Sequence, residues 1–111
     1  MTASMFIAQR LTAAVLALCV AVHLATIVYA VRGGLTAGEI LARTRENDWF
    51  LAFYVTFVVA VAIHAPIGLR NILREWTRWR GRALDIVLAA FALALLALGL
   101  RAALAVYLPS I

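Results

Sequence analysis

Charged and apolar residues separate along this chain into long blocks rather than alternating. From Leu11 to Val31 runs a stretch of 21 residues without a charge, and a second of the same length runs from Trp49 to Leu69. A third, Ile86 to Leu100, is interrupted by Arg101 and then resumes to the C-terminus. A helix advances about 1.5 Å per residue, so about 20 apolar residues cross a hydrocarbon core of about 30 Å. The pattern therefore predicts three membrane-spanning helices at about 10–31, 49–70 and 83–107. The last accommodates Arg101 because an arginine one or two turns from a helix end snorkels to the interface. The expected fold class is all-α, an integral-membrane three-helix bundle forming a single transmembrane domain over residues 1–111. Gly33-Gly34 gives a turn signal after the first span, and residues 35–46 read as a short amphipathic helix lying on the membrane surface. Arg10 ahead of the first run and Val28-Tyr29-Ala30 near its end also fit a secretory signal. The run exceeds the 7 to 15 apolar residues of such a signal, which favours a span.

Composition narrows the class further. The chain is 67% hydrophobic and 14% charged, where a soluble domain carries about a quarter charged residues. Disorder, a collagen-like repeat and a nucleic-acid module are excluded, and the single Cys19 excludes an internal disulfide framework. The ten basic residues are all arginine, and the net charge is +5. Between the second and third spans stand Arg70, Arg74, Arg78, Arg80 and Arg82, whereas Arg32, Arg43 and Arg45 in the first connection are offset by Glu39, Glu46 and Asp48. The positive-inside rule then puts the second connection and the N-terminus on the cytoplasmic side, with the C-terminus outside. Trp76 and Trp79 at one interface, and Trp49 and Tyr107 at the other, occupy the places of an aromatic belt.

Ionisable groups inside spans are costly and point to function. Both histidines, His23 and His64, lie inside spans, and they lie at different depths. His64 is six residues before Arg70, about 9 Å in from the cytoplasmic boundary, whereas His23 follows Arg10 by 13 residues, about 20 Å across the membrane. The two cannot share one metal without severe tilting. Neutral imidazole is a good axial ligand for haem iron. Around His64, Gly68 at i+4 offers clearance on the same face, and Arg70 and Arg74 lie where propionates would point. Pro66 removes one backbone hydrogen bond near the site. A second axial ligand would come from another chain. Residue chemistry alone leaves two readings of His64 open, a haem ligand and a hydrogen bond to a neighbouring helix.

The segment Trp49 to Trp76, WFLAFYVTFVVAVAIHAPIGLRNILREW, resembles the second helix of the cytochrome b membrane-anchor subunits of succinate dehydrogenase, respiratory complex II. The shared core is H-x-x-x-G-x-R, here His64, Gly68 and Arg70, and Glu75-Trp76 matches a following acid and aromatic. The resemblance implies that His64 is an axial ligand of haem b. At the N-terminus, Gln9-Arg10-Leu11-Thr12-Ala13 is similar to the family's His-Arg-x-Ser/Thr-Gly, which assigns Arg10 a place near the quinone head group and a haem propionate. The chain departs from the family's pattern at Gln9 and Asn71, which replace histidines, and at Phe6, which stands where a quinone-site serine would fall. The implied partners are a second membrane-anchor subunit, an iron-sulfur subunit, a flavoprotein subunit, quinone and the lipid bilayer. The implied location is the bacterial inner membrane, as a multi-pass protein.

With no flavin fingerprint and no cysteine cluster for iron-sulfur ligation, the chain is expected to be a non-catalytic subunit. Its arginine-rich loop serves either to dock the soluble subunits or to face anionic lipid. For His23 the open readings are a second haem in the outer half, with Arg101 at a similar depth, and an interhelical hydrogen bond. Cys19, Phe53, Tyr54 and Phe57 read as packing residues. A proton-coupled multidrug transporter would need a carboxylate deep within a span, and the charge-free runs at the centres of the three spans hold none. The remaining alternatives are the anchor of fumarate reductase or of another quinone-linked oxidoreductase, and a haem-free membrane scaffold.

Overall fold

A computed structural model describes residues 2–108. It contains four helices in chain order: α1 (Ala3–Gly33), α2 (Ala37–Thr44), α3 (Asp48–Trp76) and α4 (Arg82–Tyr107). There is no strand among the described residues, and three of the helices are long and apolar enough to cross a membrane. Each long helix runs past its charge-free core. The α1 helix, at 31 residues, is about 46 Å long, and α4 continues unbroken through Arg101, whose side chain is exposed.

Local chemistry sets the boundaries. Thr2 begins α1 by accepting the Met5 N–H at 3.2 Å, and Gly34 ends it at φ +118°, a conformation that L side chains rarely adopt. The short α2 opens on a reciprocal cap, in which the Thr36 hydroxyl accepts from the Glu39 N–H (3.2 Å) and donates to Glu39 Oε1 (2.6 Å). Asn47 caps α3 by accepting from the Phe50 N–H, while its amide donates to the Arg43 carbonyl. At the far end of α3, the Arg80 guanidinium donates to the carbonyls of Arg74, Thr77 and Trp79 and so satisfies the frayed terminus.

The α3 helix is central. Both α1 and α4 pack antiparallel along it, and they share no extensive interface with each other. Among α3 and α4, Ala60, Leu84, Leu88 and Ala103 are buried, with Leu84 only 1% exposed. Membrane helices gain little from hydrophobic burial, because lipid is as apolar as leucine, so small residues that let backbones approach carry the packing. Gly99 shows this: a Cβ there would lie 2.6 Å from Val58 Cγ1. The α2 helix closes one end of the molecule against α4. The Thr44 hydroxyl, buried, donates to the Val106 carbonyl at 2.9 Å, and the Glu46 N–H donates to the Tyr107 carbonyl at 2.8 Å. Tyr107 in turn donates to Asp48 Oδ1 at 2.6 Å.

The surface is that of a protein made for lipid and for partners. Only 6% of the most apolar stretch of α1, and 11% of those of α3 and α4, is buried within the chain. Trp49 and Trp76 mark the two ends of α3 and are 88% and 83% exposed. They are 27 residues apart, about 40 Å by helical rise, which matches a bilayer measured through its polar interfaces.

Filling the Gly99 contact tests the packing. Gly99→Ala is expected to cost about 1–3 kcal/mol in detergent unfolding by forcing α4 away from Val58. Val58→Ala in the same chain is expected to recover most of the loss, giving a non-additive pair.

Candidate functional site

The α1–α3 interface is crossed by two hydrogen bonds between an imidazole and a hydroxyl. In one, Thr12 Oγ1 on α1 lies 3.2 Å from His64 Nδ1 on α3. In the other the histidine is on α1 and the hydroxyl on α3, with His23 Nδ1 lying 3.1 Å from the Tyr54 hydroxyl. Eleven residues separate the pair members on α1 and ten on α3, so these rungs stand about 15 Å apart along the membrane normal. The sequence expectation that the two histidines occupy different depths holds in the structure.

Around the Thr12–His64 rung gather the polar side chains of one end of the molecule. Gln9, one turn before Thr12 on α1, lies against Gly68, one turn after His64 on α3. A Cβ on Gly68 would sit 3.3 Å from Gln9 Nε2, so the clearance expected at Gly68 is what admits the glutamine amide. Arg70 reaches both neighbours of α3: Nη1 donates to Met5 Sδ on α1 at 3.1 Å, and Nη2 lies 3.6 Å from Asp85 Oδ1 on α4. Two buried polar atoms here have no hydrogen-bond partner among the described residues, Gln9 Oε1 and Arg70 Nε. Nor does His64 Nε2, because the ring's one hydrogen bond uses Nδ1. Pro66, buried two residues beyond His64, leaves the Ala62 carbonyl without its helical donor.

Unpaired buried polar atoms in an apolar medium are expensive, and Gln9 Oε1 and Arg70 Nε, at the same end of the bundle as His64, suit a ligand that brings its own donors and acceptors. The donor set also fits haem b. His64 offers a free ring nitrogen as axial ligand, Arg70 an unused N–H for an anionic group, and the exposed faces of α1 and α4 leave room for a second chain to complete the site. Among the described residues no group of three histidine, cysteine or acidic side chains converges, and an axial ligand needs none.

Arg10 stands apart from this cluster. Its side chain is exposed, and it makes no hydrogen bond or ion pair among the described residues. Arg101 is likewise exposed and has no partner among the described residues. His23 is packed edge-on against the rings of Tyr54 (5.9 Å) and Phe57 (5.7 Å), within an aromatic ladder that continues through Phe53 and Phe50. Beside it a cavity of about 290 Å³ is bounded by Thr26, Arg43 and Phe50. Arg43 is tied down by donation to the Gly34 carbonyl (2.7 Å) and by the Tyr29 ring 5.7 Å away. Of the two readings of His23, the interhelical hydrogen bond is present.

Residue 1 through residue 100 matches the family described as succinate dehydrogenase/fumarate reductase transmembrane subunit. The chain belongs to that family. This bears out the resemblance drawn from the His64–Arg70 segment, and with three apolar helices it makes the chain a multi-pass membrane subunit of such a complex. No curated protein and no solved structure matches the chain significantly.

Sequence reasoning reached His64, Gly68 and Arg70 but gave Gln9 and Thr12 only as parts of a similar motif, and it did not single out Met5 or Asp85. The one signal for Thr12 was its place as a hydroxyl within the first span, where polar groups seek partners on other helices. The His23–Tyr54 rung can be tested directly in this family member. Tyr54→Phe keeps the aromatic ladder and removes the hydroxyl. It is expected to lower stability in detergent by about 0.6–1.7 kcal/mol, measured by reversible denaturant unfolding. An unchanged stability would assign the position of His23 to ring packing alone.

Proposed function

We propose that this subunit is the haem b-binding membrane anchor of a succinate dehydrogenase, which holds the flavoprotein and iron-sulfur subunits at the membrane and passes their electrons to quinone. The observation that carries the reading is the cluster around His64. A histidine inside a span has one ring nitrogen bonded across the helix interface and the other without a partner among the described residues, at the same end of the bundle as unpaired buried atoms of Gln9 and Arg70. His23 joins the same helices and shares the free ring nitrogen, so it is the unpaired buried atoms of Gln9 and Arg70 that set the His64 end apart. Family membership supplies the context.

The residues divide the work as follows. His64 Nε2 would hold the haem iron through its lone pair. Arg70, with Arg74 one turn on, would neutralise the propionates at the membrane boundary. Any further protein ligand would have to come from another chain, such as a second membrane-anchor subunit, because the other histidine of this chain stands about 15 Å away by helical rise. When bound, haem b supplies a one-electron site between the iron-sulfur relay and quinone. Arg10 lies on the same end of α1 as the cluster, exposed and with no partner for its guanidinium among the described residues, and is the group offered to a quinone head group. Five arginines between Arg70 and Arg82 orient this end toward the cytoplasm of a bacterium, which puts the cluster on the side where the soluble subunits sit.

The experiment is a reduced-minus-oxidised optical spectrum of the detergent-purified complex, captured through this chain, in wild type and His64→Ala. The expected result is a b-type spectrum in the wild type that vanishes or shifts in the variant, with flavoprotein and iron-sulfur partners retained. A wild-type complex without haem overturns the assignment and leaves a haem-free scaffold. Haem counting by pyridine haemochrome accompanies it: one haem per complex is expected, whereas two, falling to one in His23→Ala, would assign a second haem to His23.

A further inference from the structure

We propose that Thr12 is a positioning residue for His64: its hydroxyl oxygen fixes the imidazole in the tautomer that carries its proton on Nδ1, so that Nε2 is held deprotonated and available to a metal. The inference rests on the haem reading above for its purpose, and on hydrogen-bond accounting for its geometry.

Thr12 Oγ1 has three neighbours within hydrogen-bond distance: the Ala8 carbonyl at 2.7 Å, the Gln9 carbonyl at 3.2 Å and His64 Nδ1 at 3.2 Å. A hydroxyl carries one proton and can accept through its lone pairs. Carbonyl oxygens only accept, so the proton belongs to the closest of them, the carbonyl of Ala8, in the back-bond to i−4 that threonine makes within helices. Were the proton turned toward His64, two carbonyl oxygens would face the threonine oxygen with nothing between them. The oxygen is thereby committed as an acceptor toward the ring, and Nδ1 must donate. In a neutral imidazole one nitrogen carries the proton and the other the lone pair, so Nε2 is the nitrogen left to bind iron. Thr12 is buried at 9% exposure, on the face of α1 that meets α3, and it lies four residues before Leu16 and three after Gln9. The ring has no other hydrogen bond among the described residues that would set its tautomer.

A metal-bound histidine that donates its second ring N–H is oriented and made more basic by its acceptor, and loss of such an acceptor costs 10- to 100-fold in metal affinity. The electron-rich ring favours the oxidised metal more than the reduced one. Thr12 therefore acts on two properties at once, retention of the haem and its midpoint potential.

The test compares wild type, Thr12→Val and Thr12→Ser in the purified complex, by haem-to-protein ratio during dilution and by potentiometric titration of the b-type absorption. Valine keeps the branched shape and removes the acceptor, whereas serine keeps the acceptor. The valine variant is expected to lose haem about tenfold more readily and to titrate at a higher potential, about 59 mV for each tenfold loss of preference for the oxidised state. The serine variant is expected to match the wild type. A valine variant with wild-type potential and retention overturns the proposal, and so does a serine variant shifted as far as the valine one. Should the valine complex not assemble, ¹⁵N shifts of the histidine-labelled wild-type full chain in detergent decide the point. A protonated Nδ1 at His64 upholds the assignment and a protonated Nε2 overturns it. A wild type without any b-type spectrum overturns the haem reading instead, and the ¹⁵N measurement still decides the tautomer.

Discussion

Two hydroxyl–imidazole hydrogen bonds between α1 and α3 are the constraint on which the rest of the arrangement depends. In lipid there is no water to take over a polar group that loses its partner, so each of these side chains has a strong reason to find another inside the protein. Thr12 with His64 and His23 with Tyr54 satisfy it in a single antiparallel register. The same register brings Gln9 to Gly68 and Met5 to Arg70. A slip of one residue along either helix would turn these side chains by about 100° around the axis, break both rungs together and leave four polar groups stranded.

With α1 pinned in this way, the position of α4 follows from a different force. Its contact with α3 is one of shape, a glycine opposite a valine at Gly99 and Val58 and a buried Leu84 near the turn. The two attachments meet at Arg70, which touches Met5 on α1 and Asp85 on α4. An arginine at a helix end in lipid is able to do this because its long stem spans apolar surface while its head reaches a neighbour of either kind. The opposite end is closed by backbone and side-chain bonds from α2 and the α2–α3 turn to the last turn of α4. The three long helices are thus tied at both ends around α3 while most of their apolar surface stays outside. That is the form of a subunit that finishes its packing against other chains and lipid.

The fold class was legible in the sequence because a membrane helix announces itself through length and hydropathy, which are local properties. The histidine, the glycine and the arginine of H-x-x-x-G-x-R were legible for the same reason, since their spacing on one helix fixes their relative positions. Gln9, Thr12, Met5 and Asp85 were not, because each joins the cluster across an interface between helices, and contacts such as the one from Thr12 to His64 link residues 52 positions apart. Gly68 illustrates the difference: its i+4 relation to His64 shows that it shares a face, but only the neighbouring helix decides that a glutamine amide fills the space.

By itself, then, the amino-acid sequence determined that three helices of this chain are made for a bilayer and which of its residues are too costly to bury in lipid without a purpose. Those are consequences of backbone hydrogen bonding and of transfer free energy, which act on a segment wherever it sits. The tertiary structure decided which polar residue answers which. It paired His64 with Thr12 and His23 with Tyr54, left Arg10 and Arg101 outside, and kept the unpaired atoms of Gln9 and Arg70 at the end of the bundle where His64 lies. Such choices depend on the rotation and register of one helix against another, and those are settled by close packing and mutual hydrogen-bond satisfaction rather than by any property of a single helix.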